Sequence, residues 1–334
     1  MNPACYLLAF TIPLSVATSF ALGGTGSYLT LFYTFGALPL LELWIPAHAF
    51  NLSPEVERAR AKNRYFDLLL WCMVPIQYIL LYAYCRHIAQ GPSSVFEMIG
   101  LTSAMGIGCG VLGINVAHEL GHRRTRFERI MARALLCTSL NWQFYIEHNR
   151  GHHLKVSTPD DSESAHLNES IYAFWFRAVT TSYLAAWNLD PIEMIIGTLL
   201  QAALSAFLYF HFGSFALLGF FASAGVGILL LQSVNYIEHY GLCRIKTPEG
   251  RFESVKPHHS WNSDQVLSRA VLFELSRHSD HHANASRKYP VLRHFDSSPE
   301  LPTGYPGMIL LALIPRLWFA RMNPKITPAS TTAS

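Results

Sequence analysis

Charge is scarce in this sequence. Only 14% of its 334 residues are Asp, Glu, Lys or Arg, against 51% hydrophobic, where a soluble globular chain carries about 25% charged residues. That deficit argues against an ordinary soluble protein and points to a membrane. Cysteine is sparse as well. Cys5, Cys72, Cys85, Cys109, Cys137 and Cys243 are scattered, with no C-x-x-C pair, so neither a disulfide framework, a zinc knuckle nor an iron–sulfur site is indicated. A credible flavin or nicotinamide fingerprint is missing too. Gly108, Gly110 and Gly113 spell G-x-G-x-x-G, but inside an apolar run and not between a strand and a helix, where phosphate binding would require it. Gly106 and Gly110 read better as a GxxxG pair that lets another helix approach closely. Any redox chemistry would therefore draw its electrons from outside the chain, and no nucleic-acid partner is expected.

Long apolar runs are abundant. A spanning helix needs about 20 apolar residues, and six segments qualify or nearly do: Ala4–Leu22, Ser27–Pro46, Phe66–Cys85, Met98–Ala117, Met194–Phe212 and Ser214–Val234. The first has no basic lead and is read as a resident helix, not a cleaved signal. With six spans, every lysine and arginine except Arg86 falls on one side, which the positive-inside rule assigns to the cytoplasm. Ile130–Ile146 contains Arg133 and Ile171–Leu189 contains Arg177, so both read as helices beneath the bilayer. Met308–Phe319 is too short to cross. The expected fold is thus an all-α integral membrane protein of six transmembrane helices. Residues 1–117 hold spans one to four, 118–193 form a cytoplasmic region, 194–234 hold spans five and six, and 235–334 form a second cytoplasmic region.

Histidine is the feature those regions share. Nine of the sixteen histidines fall in four tight groups: HELGH with His118 and His122, EHNRGHH with His148, His152 and His153, NYIEHYG with His239, and RHSDHH with His278, His281 and His282. Residues four apart share a helix face, so these spacings aim pairs of imidazoles in one direction, as a metal requires. Nine exceed the capacity of one ion and suit two ions with four or five each. Imidazole alone does not name the metal. Two redox-active ions beside a membrane suit dioxygen activation, for which non-haem iron is the usual choice. HELGH by itself also matches an intramembrane zinc protease, but that chemistry leaves most of the other histidines without a role. A metal transporter would want ionisable residues at the bilayer midplane, and the midspans are nearly free of them.

HELGHRR, EHNRGHH, NYIEHYG and RHSDHH together resemble the integral-membrane alkane 1-monooxygenases, within the histidine-box group that includes membrane desaturases and xylene monooxygenase. The likeness extends to STPDDSESAHLNESIY after His153, HSWNS at His259–Ser263, HHANASRKYP at His281–Pro290 and LPTGYPGMI at Leu301–Ile309. It implies a cytoplasmic di-iron site held by all nine box histidines, in a bacterial inner-membrane enzyme. Such an enzyme hydroxylates the terminal carbon of an alkane drawn from the bilayer with dioxygen and electrons from rubredoxin, itself reduced by an NADH-dependent reductase. Alkyl-aromatic or fatty-acyl substrates are alternatives within the same chemistry. Which histidine binds which iron is not legible from spacing. Glu119, Glu147, Glu238 and Asp280 each adjoin a box histidine and are candidates to orient it, since metal-bound imidazoles usually donate their other N–H to a carboxylate or carbonyl. His259 and Asn262 are candidates to support the site. Trp44 and Trp71 are candidates to limit chain length or to anchor the interface.

Overall fold

The computed structural model describes residues 1–326. Among these residues every regular element is a helix, with only two isolated β-bridges, Lys246 to Phe252 and Asn262 to Glu300. In chain order the helices are α1 (Pro3–Leu22), α2 (29–42), α3 (Pro54–Lys62), α4 (Arg64–Ala89) and α5 (Val95–Gly121). They continue as α6 (Arg126–Thr138), α7 (142–155), α8 (Ile171–Leu189) and α9 (Pro191–His239), followed by α10 (Val266–Val271), α11 (His278–Ala283), α12 (Tyr305–Ala312) and α13 (Pro315–Met322).

Four of them, α1, α4, α5 and α9, are long and apolar enough to cross a membrane. α9 has 49 residues, a length of about 74 Å at about 1.5 Å per residue, more than twice a hydrocarbon core of about 30 Å. It is broken at Gly213, where φ is +86° and ψ 173°, a conformation open to glycine because it lacks a Cβ. The expected second span, Ser27–Pro46, is helical only as far as Glu42. Its α-helical pieces flank a π turn at Tyr33–Ala37. In its last turn Glu42 accepts from the backbone N–H (2.8 Å) and hydroxyl (2.6 Å) of Ser268 in α10, which ties this helix to α10.

The glycines of α5 pack against α9. A Cβ on Gly106 would strike Val226, one on Gly110 would come within 2.7 Å of Leu230, and one on Gly227 within 2.6 Å of the Cys109 Cβ. The glycine pattern therefore serves helix approach. That approach matters because both helices end on box histidines: α5 carries His118 in its last turn and α9 finishes on His239.

The apolar stretch between the first two boxes does not form one long helix. Leu140, with φ +50°, breaks it between α6 and α7, and neither piece is long enough to cross. His118 and His148 can thus meet. In α8, Arg177 forks onto Glu169 (2.7 and 2.8 Å) and donates to the carbonyls of Ser162 and Ser164, tying that helix to the loop after the second box. The apolar stretch at 308–319 is likewise interrupted, α12 ending at Ala312 and α13 starting at Pro315. Ahead of α11, buried Arg277 donates to Asp264 (3.1 Å) and to the Leu292 carbonyl (2.8 Å), while Arg269 holds Glu274 at 2.6 Å. Burying arginine is tolerable only when it is paired and its donors are satisfied, and here that network fixes the residue next to His278.

Candidate metal centre

The nine box histidines converge from four elements. His118 and His122 come from the end of α5, and His239 from the end of α9. His148 and His152 sit on a π turn within α7 with His153 directly after it, and His278, His281 and His282 share the short α11. An i→i+5 turn is rare in helices and is frequently found at functional sites. Here it separates the second-box imidazoles: His148 and His153 face one set of ligands, His152 the other.

Two sets result. His118, His122, His148, His153 and His281 bring one ring nitrogen each to within 4.8 Å of all the others, and His152, His239, His278 and His282 do the same. In the first set the Nε2 atoms of His118 and His281 stand 2.9 Å apart, those of His122 and His148 3.1 Å, His148 and His153 3.0 Å, and His153 and His281 3.2 Å. In the second set the Nε2 atoms of His239 and His278 are 3.1 Å apart. Ligand nitrogens at right angles around an ion, with bonds of about 2.1 Å, would stand about 3.0 Å from one another.

Hydrogen bonding alone accounts poorly for this arrangement. A ring nitrogen bears either a proton or a lone pair, so His148, His153 and His281, each facing two neighbours through one Nε2, cannot donate to one and accept from the other. In the second set the Nε2 atoms of His152 and His282 are buried without any hydrogen-bond partner. Unpartnered buried polar atoms are costly, and a metal cation would satisfy them. The donor chemistry and spacing fit two ions, one with five imidazoles and one with four.

Electrostatics prepares these rings as ligands. Burial disfavours the imidazolium form and pushes His122 down to about 4, with His152 and Arg123 adding to the effect. Burial first, then neighbouring imidazoles, also holds His148, His153, His278, His281 and His282 well below the usual histidine range. They are neutral at physiological pH, the state that binds metal. His152 differs. Burial opposes its charge too, but Asp161 outweighs that and raises it to about 9.

Asp161 is the orienting group the sequence reading missed. Its oxygens lie 2.9 and 3.1 Å from His152 Nδ1, and it accepts from the Ser164 hydroxyl at 2.6 Å. In the neutral ring, the form a metal binds, a proton on Nδ1 directed at Asp161 leaves Nε2 bare toward the four-histidine set. Glu163, two residues on, groups with His148 and His152 and accepts from Gln232 at 3.1 Å. The only sequence signal for either was the acid-rich run following the second box.

The four carboxylates adjoining box histidines have different surroundings. Glu238 faces a ligand: one oxygen is 3.2 Å from His278 Nε2, and the other accepts the Tyr305 hydroxyl at 2.6 Å. Glu147 accepts from Ser162 at 2.7 Å, and burial, reinforced by Glu163, holds its carboxyl well above the usual range. Glu119 instead takes the Tyr289 N–H (3.1 Å) and Arg123 (2.9 Å). Asp280 takes the Arg293 N–H (2.8 Å) and its guanidinium (3.0 Å). Both hold backbone and arginine, not imidazole. His259 accepts the Ser157 hydroxyl through its carbonyl at 2.7 Å, and the Asn262 carbonyl accepts the Leu301 N–H at 2.8 Å, so both brace the chain between the third and fourth boxes. His48, His87, His166, His211, His258 and His294 lie outside the two sets.

An apolar cavity reaches this centre. Val111, Ile114, Leu230 and Val234 line it, together with His118, His148, His278 and Glu238. Trp44 is 85% exposed, and Trp71 borders a separate cleft beside His122. Neither tryptophan lines the apolar cavity.

Long apolar helices and two converging sets of imidazoles define a membrane protein with a histidine-ligated, non-haem metal centre. The family model for fatty acid desaturases matches residues 94–311. Alkane 1-monooxygenase 1 of Alcanivorax borkumensis is 40% identical over 316 residues, covering 89% of this chain and 77% of that protein. Alkane 1-monooxygenase of Ectopseudomonas oleovorans is 40% identical over 89% of this chain and 78% of its own length. Alkane 1-monooxygenase 1 of Pseudomonas aeruginosa is 37% identical over 96% and 88%. The chain belongs to the alkane 1-monooxygenase family of membrane enzymes, within the histidine-box desaturase group.

Proposed function

We propose that this enzyme hydroxylates the terminal carbon of an alkane taken from the bilayer, at two irons held by the five- and four-histidine sets. The observation that carries this reading is the opening of an apolar cavity onto ligands of both sets, His118 and His148 on one side and His278 on the other. Iron bound there would supply the reductive activation of dioxygen, with one oxygen atom entering the C–H bond and the other leaving as water at the cost of two electrons and two protons. The residues do the rest. Val111, Ile114, Leu230 and Val234 hold an unbranched chain by contact alone and keep bulk water from its inner end. Glu238, fixed by the Tyr305 hydroxyl, is a polar group on the lining of that cavity. Asp161 holds His152 in one tautomer and one orientation.

The electrons come from rubredoxin, itself reduced by an NADH-dependent reductase. Six crossings are favoured by the break in α9 at Gly213, which divides a run too long for one crossing, and by the unbroken helical turns over residues 24–42. In that topology 1–117 and 194–234 are membrane regions, while 118–193 and 235–334 face the cytoplasm of a bacterial inner membrane. The test is product analysis with octane, p-xylene and a fatty acid, each supplied with rubredoxin, its reductase and NADH. The reading expects 1-octanol as the main product. Preferential oxidation of the p-xylene methyl group or of the acyl chain would replace it.

A further inference from the structure

We propose that the groove on α6 lined by Arg126, Arg129, Ile130 and Arg133 binds the phosphate of an anionic phospholipid in the leaflet nearest the metal centre. This site is independent of the enzyme's substrate and needs only that α4 and α9 cross a membrane. The contacts of α6 fix its depth. Near its start, Phe127 meets Trp71 edge-on with 5.4 Å between ring centroids. Further along, the Ala134 carbonyl accepts from the Tyr78 hydroxyl at 2.8 Å, and the Thr138 hydroxyl accepts from Gln77 at 3.2 Å. Gln77 lies about 20 Å from the Arg64 end of α4, at about 1.5 Å per residue, well within a hydrocarbon core of about 30 Å. The last turn of α6 is therefore set into the bilayer, and its first turns lie at the surface. Arg133 marks that surface, because its Nε donates at 2.5 Å to Glu193 in the first turn of α9.

Positions 126, 129 and 133 share one helix face with Ile130. Arg133 is paired with Glu193, but among the described residues Arg126 and Arg129 have no carboxylate within 4.0 Å. Glu128, the one acid of α6, is buried and accepts from the Thr125 hydroxyl at 2.6 Å. Two uncompensated guanidiniums in a groove at the membrane surface match a phosphodiester, whose oxygens accept their parallel N–H donors. Their charge favours an anionic headgroup over a zwitterionic one. Ile130 is 63% and Phe127 54% exposed, which offers apolar contact to the acyl chains beneath the phosphate. An acidic protein would meet these side chains at the level of lipid, not in water. Beyond the turn at Leu140, α6 leads into α7, which bears the second histidine box. A lipid seated in the groove thus holds the hairpin that presents those imidazoles.

The experiment is native mass spectrometry of the purified, iron-loaded chain in micelles, with palmitoyl-oleoyl-phosphatidylglycerol or the matching phosphatidylcholine added at graded concentrations. The wild type is expected to retain phosphatidylglycerol in preference to phosphatidylcholine. Arg126→Gln/Arg129→Gln should weaken that binding about thirty-fold, roughly five-fold for each arginine, with iron per chain and near-ultraviolet circular dichroism unchanged. Arg126→Lys/Arg129→Lys should keep most of the affinity. Arg58→Gln/Arg251→Gln removes the same charge from exposed positions elsewhere and should bind lipid as the wild type does. An equal loss in that control pair overturns the proposal, since the lipid would then sense net charge alone. Displacement of the lipid by inorganic phosphate also overturns it, because the groove would then take a free anion. So does wild-type lipid binding in Arg126→Gln/Arg129→Gln joined to a raised KM for the electron carrier, which would give these arginines to an acidic protein. None of these readings of lipid binding depends on whether octane is hydroxylated.

Discussion

Replacing Asp161 with asparagine should loosen the metal of the four-histidine set without unfolding the protein. Asp161 and His152 both have fully buried side chains, and the carboxylate spans Nδ1 with contacts of 2.9 and 3.1 Å. Asparagine keeps the shape and can still accept from the Ser164 hydroxyl. It removes the negative charge that favours a proton on Nδ1, and it can turn its own N–H₂ toward the ring, favouring the tautomer whose Nε2 bears hydrogen. Losing such a partner typically costs about 10–100-fold in metal affinity, or about 1.4–2.7 kcal/mol. The assay is competition of the purified enzyme against a graded series of chelators, with iron counted per chain. The wild type should release its metal in two steps, and Asp161→Asn should move the weaker-bound step by that factor. Near-ultraviolet circular dichroism should remain native. Wild-type affinity for both ions in a folded Asp161→Asn protein would refute the orienting role of this carboxylate.

Single-histidine substitutions should report on the two sets separately. His282→Ala leaves three imidazoles in its set and His122→Ala leaves four, so iron loss on dialysis should be greater for His282→Ala. Equal retention would contradict the five-and-four division. Gly106→Leu would drive a side chain into Val226, and overpacking of this kind costs about 1–3 kcal/mol. A lower midpoint of thermal unfolding in nanodiscs would register it, whereas an unchanged midpoint would mean that α5 and α9 can move apart freely. Tyr305→Phe removes the hydroxyl held at 2.6 Å by Glu238. An unmet buried acceptor costs about 1–3 kcal/mol, so turnover and thermal stability should fall while iron per chain stays constant. Loss of iron would instead place Glu238 among the ligands.

The sequence and the structure meet most closely at the boxes, because i, i+4 spacing is local geometry that side chains inherit directly. His118 with His122 and His278 with His282 needed only a helix to become neighbours. How the nine divide was not legible. It depends on the π turn at His148–His152, which rotates the second box so that His152 parts from His148 and His153, and no periodicity in the sequence announces an extra residue per turn. Asp161 was hidden for a related reason: it lies in a loop nine residues from the ring it holds, where only tertiary folding supplies the contact. The glycines of α5 were readable as packing positions from their GxxxG spacing within an apolar run. The helix over 29–42 was less so, because the apolar run continues through Leu43, Trp44 and Ile45, and the contact that anchors its last turn, Glu42 to Ser268, joins residues 226 positions apart.

Most direct is a count of metal on the purified enzyme, combined with iron K-edge absorption to identify the bound atoms. The account predicts about two irons per chain, each surrounded by nitrogen at roughly 2.1 Å, as imidazole ligation of a first-row metal requires. A single zinc per chain, or iron bound mainly by oxygen or sulfur, would contradict it.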